Sequence, residues 1–484
     1  MDLYALANVN LAAIMPETIL SVVAMALLII NVFVPSEQKG YLGYLSIAGI
    51  LVTAYLSYSG WGVPEQGFRG SVVLDNFSHF FNLIFLVSTG LTILISDQYM
   101  KREDCNQGEL YPLILFATVG MMLMASGTDL MTIFLGLEVM SVSLYVLAGF
   151  ARKNIRSNEA GLKYFLLGAF STGFLLYGMA LLYGATGTTK IAKIAGFISQ
   201  NGLNSNNLML LVGMLLVAVG FSFKIAAAPF HVWTPDVYEG APTPMTAFMS
   251  AGPKAAGFAA FLRVFLIALP ALKADWTQLL WVLAVLTMTV GNITAIYQQN
   301  VKRMLAYSSI AHAGYALVGF VAANEVGISG ILFYMLTYAF MNIGAFAVIV
   351  LVGKKGEQNN NLEDYAGLAS KHPILALVMA IFLFSLAGIP PTAGFIGKFY
   401  LFSGALQAGY LWLAIIGVLN SAASVYYYLR VMVFMYMKQP VEDFGWAKVT
   451  PAIFVSIVIS IVGVLGLGVV PGFVLKLAQM ALPL

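Results

Sequence analysis

The chain has few charged residues for its length. Asp, Glu, Lys and Arg make up only 9% of its 484 residues, whereas they make up about 25% of an average soluble domain. Hydrophobic residues reach 60%, and the mean hydropathy is +0.88. A soluble core of this length cannot hide so much apolar surface, but a bilayer can. The scarcity of charge therefore predicts a membrane protein built from spans of about 20 apolar residues.

Residues that hold metals, clusters and nucleotides are also scarce. Cys105 is the only cysteine, which excludes an internal disulfide and a cysteine-ligated cluster or zinc site. The four histidines are widely scattered, and no Gly-rich phosphate loop follows a predicted strand. The net charge of +3 carries no nucleic-acid signature. We therefore expect the chain itself to bind no cofactor, no metal ion and no nucleic acid.

Long apolar runs predict an all-α polytopic membrane protein. Only helices and closed barrels satisfy the backbone in lipid, and runs of this length exclude barrel strands. The sequence begins Met-Asp-Leu-Tyr-Ala, without the basic region of a secretory signal, so we expect it to lead into a retained helix. About fourteen spans are predicted, at residues 9–34, 41–60, 76–96, 110–127, 130–150, 158–184, 208–230, 242–268, 276–297, 303–322, 328–352, 373–403, 408–436 and 452–476.

Basic residues are unevenly divided between the two sets of loops. The positive-inside rule places the richer set in the cytoplasm of a bacterial inner membrane, and both termini on the periplasmic side. The richer set, which follows the odd-numbered spans, contains Lys39, Lys101, Arg102, Arg152, Lys153, Arg156, Lys302, Arg303, Lys354, Lys355, Lys371, Lys438 and Lys448. The opposite set contains only Arg69, Lys190, Lys193, Lys273 and Lys476.

Proline and glycine interrupt three of the predicted spans. Breaks are expected near residues 226–229 in span seven, at Gly252-Pro253 in span eight and at residues 388–394 in span twelve. The breaks in spans seven and twelve, five spans apart, predict two inverted five-helix repeats, a plan that transporters use around a midplane site. The predicted units are spans one to three (1–109), a first repeat (110–268), a second repeat (276–436) and a C-terminal helix (452–484).

Four charged residues lie inside apolar runs: Glu138, Lys224, Lys254 and Lys398. Left dry and unpaired, they would cost on the order of 10 kcal/mol together, so they must be paired, hydrated or neutralised. One structural alternative is a single Glu–Lys pair that ties two helices together, with the other lysines reaching the headgroups. One glutamate cannot neutralise three lysines, however, and a surplus of titratable bases suits proton transfer. We therefore predict a series of proton-transfer sites.

Two further residues are weaker candidates for the same path. Lys163 lies about one turn into span six and could equally reach the headgroups, while His312 lies in span ten, which the repeat pairs with span five and Glu138. Other polar residues have structural interpretations. Asp75 is expected to cap a helix, and the Pro-rich segment with His231, Asp236, Tyr238 and Glu239 is either a folded lid or a proton entrance. An interfacial anchor is expected at Tyr426, Tyr427, Tyr428 and Arg430, and a solvated loop at residues 357–364.

Three long motifs resemble the antiporter-like subunits of respiratory complex I. They read KIAAAPFHVWTPDVYEGAP at residues 224–242, VKRMLAYSSIAHAGY at 301–315 and LAGIPPTAGFIGKFY at 386–400. The resemblance runs from about span three to span thirteen. Within the family, the sequence after Trp233 and the lysine at Lys398 resemble the N-type members, since M-type members carry a glutamate in span twelve. The chain also lacks the long lateral helix of L-type members.

The resemblance implies roles for the predicted residues. Glu138 matches the family's span-five glutamate, paired with Lys224 in span seven, while Lys254 matches the central connecting lysine and Lys398 the terminal one. Lys163 and His312 match a span-six lysine and a span-ten histidine. NADH, FMN, iron–sulfur clusters and quinone are expected in other subunits, whose reactions drive proton transfer here. The implied partners are an M-type subunit, the small K-, J- and A-type subunits and membrane lipids.

Rival functions use the same charges differently. An Mrp-type cation/proton antiporter subunit would show sodium dependence, and related hydrogenase or F420-dependent complexes contain equivalent subunits. A third possibility is an assembly scaffold whose charges only hold helices together. It predicts that Lys224→Ala and Lys398→Ala disturb assembly without affecting proton pumping.

Overall fold

The computed structural model describes residues 9–201, 207–357, 360–440 and 449–483, and almost all of its regular structure is helical. One short hairpin, β1 (Glu65–Gly67) and β2 (Val72–Leu74), precedes the third long helix. The helices are α1 (Met15–Phe33), α2 (Gly40–Ser59), α3 (Asn76–Arg102), α4 (Leu110–Ser126), α5 (Leu130–Ala148), α6 (Ile155–Thr186), α7 (Ile191–Asn201), α8 (Asn207–Ile225), α9 (Trp233–Gly240), α10 (Thr243–Arg263), α11 (Lys273–Tyr297), α12 (Val301–Ala322), α13 (Glu325–Val352), α14 (Leu368–Lys371), α15 (Pro373–Ala387), α16 (Ala393–Gln407), α17 (Leu411–Met437), α18 (Pro451–Val469) and α19 (Gly472–Met480).

The prediction of an all-α polytopic membrane protein is confirmed. In the described residues, 12 helices are long and apolar enough to cross a membrane, and α4 and α15 are shorter apolar helices. The predicted run 373–403 is divided into α15 and α16, and the run 452–476 ends at Val469, before the separate helix α19. The hairpin and the short helices α7 and α9 had no hydropathy signal of their own. The basic residue Lys448 lies outside the described residues.

Glycine allows several helix pairs to approach until their backbones touch. A Cβ atom added at Gly120 of α4 would lie 2.5 Å from the backbone nitrogen of Met140 in α5. The pair α11 and α12 is built in the same way, because a Cβ at Gly291 would lie 2.7 Å from the nitrogen of Ala311. Small residues at such crossings favour helix association in lipid, because the hydrophobic effect does not drive helices together there and close van der Waals packing must do so instead.

Three helices form the centre of the bundle. In their most apolar windows, α10, α12 and α13 bury 89%, 94% and 89% of residues, whereas α1, α6, α17 and α18 bury 33% each. The central helices include two of the predicted site residues, Lys254 and His312. Polar side chains there have no headgroup within reach, so their hydrogen bonds must come from the protein or from enclosed water.

The expected break at Gly252-Pro253 does not occur, because α10 continues through Pro253 to Arg263. Proline lacks an N–H group, so the carbonyl of Met249, four residues earlier, loses its helical partner. The Tyr238 hydroxyl donates to that carbonyl at 2.9 Å and replaces the missing bond. A tertiary contact therefore stabilises the proline inside an unbroken helix.

The breaks in predicted spans seven and twelve are present. Helix α8 ends at Ile225 and α9 begins at Trp233, while α15 ends at Ala387 and α16 begins at Ala393. At the first break, the Trp233 indole donates to the Phe223 carbonyl at 3.1 Å, which satisfies one carbonyl in the last turn of α8. Such broken helices are tolerated at membrane depth only where protein or water surrounds the freed backbone.

A buried ion pair ties the first helices to the rest of the bundle. Asp75 caps α3, as predicted, since its carboxylate accepts from the Ser78 backbone nitrogen at 2.9 Å. It also binds both terminal nitrogens of Arg263, at the end of α10, at 2.8 and 3.0 Å. The Arg263 side chain is 1% exposed and also donates to the Ala125 carbonyl at 2.8 Å. Arg263 was not a predicted site, although a charge inside the run 242–268 is the signal that marked the others.

Candidate functional site

The first group of site residues joins α5 and α8 around Lys224. Glu138 lies in the middle of α5, and Ser141 lies one turn further along the same helix. Lys224, in the last turn of α8, donates to the Ser141 hydroxyl at 2.8 Å rather than directly to Glu138. One Glu138 oxygen is buried without a hydrogen-bond partner in the described residues. The carboxylate acts on the lysine through its charge rather than through a direct hydrogen bond.

A cavity of about 10 Å³ adjoins Lys224. This volume is close to the minimum that holds one water molecule. Its wall includes Ser141, Tyr145, Ser171 and Thr172, which offer the hydroxyl partners that a water molecule needs. The Lys224 ammonium also lies 3.5 Å from the Tyr164 hydroxyl. The lysine is therefore surrounded by groups that can pass a proton to and from it.

The second group surrounds Lys254 on α10. Its ammonium donates to the Ser309 carbonyl at 2.8 Å and also to the Ser309 hydroxyl. The ring of Tyr238, whose hydroxyl supports the Pro253 turn, lies 5.8 Å from the ammonium. Ser309 lies one turn before His312 on α12, so the Lys254 ammonium is bound within one helical turn of His312.

His312 lies between two tyrosine hydroxyls. Its Nδ1 is 2.5 Å from the Tyr334 hydroxyl, and its Nε2 is 3.1 Å from the Tyr428 hydroxyl, which also bonds Ser308. The interfacial-anchor prediction is wrong for Tyr427 and Tyr428, which are fully buried, although Tyr426 is exposed. Tyr427 and Tyr428 point inward because the polar side chains of α11 and α12 supply partners for their hydroxyls, with Tyr427 bonding Asn292 at 3.0 Å.

Arg430, the basic residue of the same predicted anchor, also bonds the protein. It donates to the carbonyls of Ile296, at 2.8 Å, and Gln298 at the end of α11. A cation beside the free carbonyls of a helix C-terminus is favourable, because those carbonyls carry the negative end of the helix dipole. Arg430 therefore holds α17 against α11.

Lys398 occupies the second break. It lies in the second turn of α16. Its ammonium reaches back to the end of α15, where it donates to the carbonyls of Leu386 and Ala387 at 3.0 Å each. Its third bond goes to the Ser421 hydroxyl at 2.9 Å. The Tyr315 ring lies 4.7 Å away. The lysine thus caps the negative end of a half-helix, an arrangement that favours a cation.

Lys163 lies apart from the buried row. It forms ion pairs with Glu159 and Asp236, both at 2.7 Å, and its side chain is 40% exposed. Arg303 completes the network by binding Asp236 and Glu239 at 2.8 Å each. Burial raises the pKa of the Asp236 carboxyl, but the bonds from Lys163 and Arg303 outweigh it and hold that pKa below its usual range. The Pro-rich segment after α8 therefore folds as α9 and is fixed over the bundle by ion pairs.

The loop after α13 is not simply solvated, so the prediction for residues 357–364 is wrong at Glu357. Its side chain is 12% exposed and pairs at 2.9 Å with Lys302, which is completely buried. Thr243 donates to the same carboxylate through its hydroxyl at 2.9 Å and its backbone nitrogen at 3.1 Å. The Tyr99 hydroxyl is a further donor. The loop turns inward because a buried lysine and a helix start both require an anion. Residues 358 and 359 lie outside the described residues.

Corresponding residues recur at one spacing in the two predicted repeats. The separation from Glu138 to His312 and from Lys224 to Lys398 is 174 residues in both cases. Two isolated β-bridges, Asp129 with Lys190 and Asn300 with Asn361, each span 61 residues and start at the caps of α5 and α12.

The predicted proton-transfer residues other than Lys163 form a series that we call the row; its three lysines and His312 are buried, whereas Glu138 is partly buried. The row runs from Glu138 through Lys224, Lys254 and His312 to Lys398, and hydroxyl groups lie at each member of the row after the first. Ser141, Ser309 and Ser421 were not predicted, because a serine in an apolar helix usually bonds its own backbone. In the residues described, no group of three His, Cys, Asp or Glu side chains could hold a metal ion.

Comparison with known proteins places this arrangement in a family. Residues 127–424 match the family model described as NADH:quinone oxidoreductase/Mrp antiporter, TM. NADH-quinone oxidoreductase subunit N of Trichlorobacter lovleyi is 69% identical, over 99% of this chain and 98% of the relative. A chain of respiratory complex I from Thermus thermophilus is 36% identical with a TM-score of 0.82, covering 96% of this chain and 99% of that one. A chain of the Mrp complex from a Dietzia species has a TM-score of 0.83 at 21% identity, covering 98% of both chains, which shows a shared fold.

Proposed function

The chain belongs to the NADH:quinone oxidoreductase/Mrp antiporter family, and we propose that it is the proton-translocating, antiporter-like membrane-arm subunit of an NADH-quinone oxidoreductase. Electron transfer from NADH to quinone takes place in other subunits, and this chain supplies a path for protons. The observation that carries the proposal is the set of three buried lysines in the row, each of which contacts a hydroxyl and none of which pairs directly with a described acid. Such a row suits transfer better than simple neutralisation.

Coupling along the row is electrostatic. Two unit charges about 10 Å apart interact by about 1.7 kcal/mol at an effective dielectric of about 20, which is more than one pKa unit. A change in the position of Glu138 relative to Lys224 therefore captures or releases a lysine proton. The same effect passes from Lys224 to Lys254, and through His312 to Lys398. Lys163 is at most a modulator of this path, because its ion pairs hold it outside the row.

The domain plan follows from the same proposal. Two inverted halves, 110–268 and 276–436, carry equivalent breaks and equivalent charges, while 1–109 and 452–484 lie outside them. The shared spacing of the charged residues and of the two β-bridges supports this division. The chain lies in a bacterial inner membrane with its Lys- and Arg-rich loops in the cytoplasm and its termini in the periplasm. Its neighbours are the M-type subunit, the small K-, J- and A-type subunits and lipids.

The experiment compares Glu138→Gln and Lys224→Ala in the assembled complex. Both should lower proton pumping per NADH oxidised, measured in membrane vesicles with a pH-sensitive dye, while the complex remains intact by native electrophoresis. Glu325→Gln, at an exposed glutamate that begins α13, is the matched control and should pump normally. Normal pumping by both site variants would refute the proposed row. Loss of assembly without loss of pumping in the assembled fraction would instead support the scaffold function.

A further inference from the structure

A large cavity lies on the face with the Lys- and Arg-rich loops, and none of the row's lysines is part of its lining. It has a volume of about 1270 Å³ and is formed by the loops after α3, α5, α11 and α13. Most of the residues that line it are charged or polar, and it extends to Tyr99 and Glu357. A cavity of this size and polarity is filled with water, so bulk solvent reaches the Glu357 carboxylate.

Glu357 closes the inner end of this cavity. Its carboxylate is fully engaged by Lys302, Thr243 and Tyr99. Lys302, on the inner side, also donates to the Ala241 carbonyl at 2.9 Å. Burial raises the pKa of Glu357, but Lys302 and the hydrogen bonds lower it further than burial raises it. The carboxyl therefore remains ionised at neutral pH and paired with Lys302.

A line of hydroxyl groups leads from Glu357 to Lys254. Thr243, Thr246, Ser250 and Lys254 follow one another along α10 at intervals of three, four and four residues. All four side chains therefore share one face of the helix. Each of them is almost completely buried. Eleven residues separate the first from the last, which corresponds to about 16 Å of helix. Lys254 is the only member of the row on this face of α10, so the row by itself does not explain why Thr243, Thr246 and Ser250 are polar.

The neighbouring helix completes the line. The Asn342 amide, on α13, donates to the Ser250 hydroxyl, and its own carbonyl oxygen is buried with no hydrogen-bond partner in the described residues. A buried acceptor is rarely left unbonded in a folded protein, and enclosed water is a common partner at such a position. The free oxygen therefore marks a place for water midway between Glu357 and Lys254.

We propose that the cavity and the polar face of α10 form a proton-uptake route to Lys254, with the Glu357–Lys302 pair as its gate. The inference rests on the proposed function and adds an entry point to it. When Glu357 moves away from Thr243, a proton passes from cavity water along water held by Thr243, Ser250 and Asn342. Each relay oxygen gains one proton and releases another, and the last O–H proton forms an N–H bond on the free amine of Lys254.

The route is tested in the assembled complex with variants that leave the ion pair intact. Ser250→Ala and Asn342→Leu should each slow proton uptake from the side of the basic loops by about tenfold, which corresponds to about 1.4 kcal/mol in the barrier. Ser329→Ala is the control and should take up protons at the normal rate. Ser329 is a buried serine of α13, and its described hydrogen bonds go to the backbone of its own helix. The measurement is the fast absorbance change of a pH dye on that side after a pulse of NADH.

The gate is tested separately. Glu357→Gln combined with Lys302→Met removes both charges together, so no unpaired charge is left buried, and passive proton leak should rise. Glu363→Gln, an exposed glutamate in the same loop, should leave the leak unchanged. Normal uptake in Ser250→Ala and Asn342→Leu would overturn the route, even if Lys224→Ala still lowered pumping. Normal pumping in both Glu138→Gln and Lys224→Ala would instead overturn the proposed function itself.

Discussion

Asp75→Asn isolates the energetic role of the ion pair between α3 and α10. Asparagine is as good a helix cap as aspartate, so the bond to the Ser78 nitrogen is retained. The Arg263 guanidinium, 1% exposed, loses the carboxylate that balances its charge. Removing one partner of a buried pair costs about 3–5 kcal/mol. Because Asp75 itself is 26% exposed, we expect a loss of about 3 kcal/mol, at the lower end of that range.

The assay is equilibrium unfolding of the purified chain in mixed micelles, followed by tryptophan fluorescence. Asp129→Asn is the matched control, since Asp129 also caps a helix but bonds a threonine rather than a cation. It should cost less than about 1 kcal/mol. The double variant Asp75→Asn/Arg263→Met should recover part of the loss, because it leaves no buried charge alone. Equal losses in the two Asp→Asn variants, or a strictly additive double variant, would refute the reasoning.

The pH dependence gives an independent check on the same pair. Burial raises the pKa of the Asp75 carboxyl, but the charge and bonds of Arg263 lower it more, so its pKa in the folded chain lies below the ordinary value. The contribution of the pair is therefore complete above the ordinary aspartate pKa and disappears as the pH falls through the lowered one. The unfolding free energy of Asp75→Asn should lack this acidic decline.

Two further predictions concern the packing of the helices that hold the site. Gly120→Ala should separate α4 from α5 and lower the unfolding free energy by about 1–3 kcal/mol. Because α5 carries Glu138, the same change should also reduce pumping. Gly90→Ala is the control and should be neutral or stabilising, because the nearest atom to a Cβ added there is 3.8 Å away. Tyr238→Phe should cost about 1–3 kcal/mol by leaving the Met249 carbonyl unbonded. Pro253→Ala should restore most of that stability in the double variant, because alanine supplies the missing N–H; no recovery in unfolding experiments would contradict this explanation.

Hydropathy alone predicts most of the fold, because the bilayer requires long apolar helices whatever their tertiary partners. The same reasoning failed where a tertiary partner decided the outcome. Pro253 is accommodated because Tyr238, from another helix, bonds the carbonyl that proline leaves free. Tyr428 follows an apolar run at a position where a lipid anchor and an inward tyrosine have identical sequence patterns. Its direction depends on the distant Ser308 and His312.

The embedded charges could be predicted because each interrupts an apolar run. Their hydrogen-bond partners could not, since serine is common in membrane helices and only the bond from Lys224, on α8, makes Ser141 of α5 different from the others. Glu357 was missed for the opposite reason: it lies in a polar loop, where a charge is unremarkable, and its burial depends on Lys302 and Thr243 from other segments.

The protonation state of Lys398 can be related to the number of hydrogen bonds that its side chain donates. A charged ammonium has three N–H donors, and here they meet three acceptors: the carbonyls of Leu386 and Ala387 and the hydroxyl of Ser421. A neutral amine has one donor fewer and gains a lone pair. The Ser421 hydroxyl can turn to donate into that lone pair, so loss of the proton reverses the direction of one hydrogen bond. In the proposed proton path, Lys398 therefore exchanges a proton through the rotation of a single hydroxyl group, with α15 and α16 staying in place.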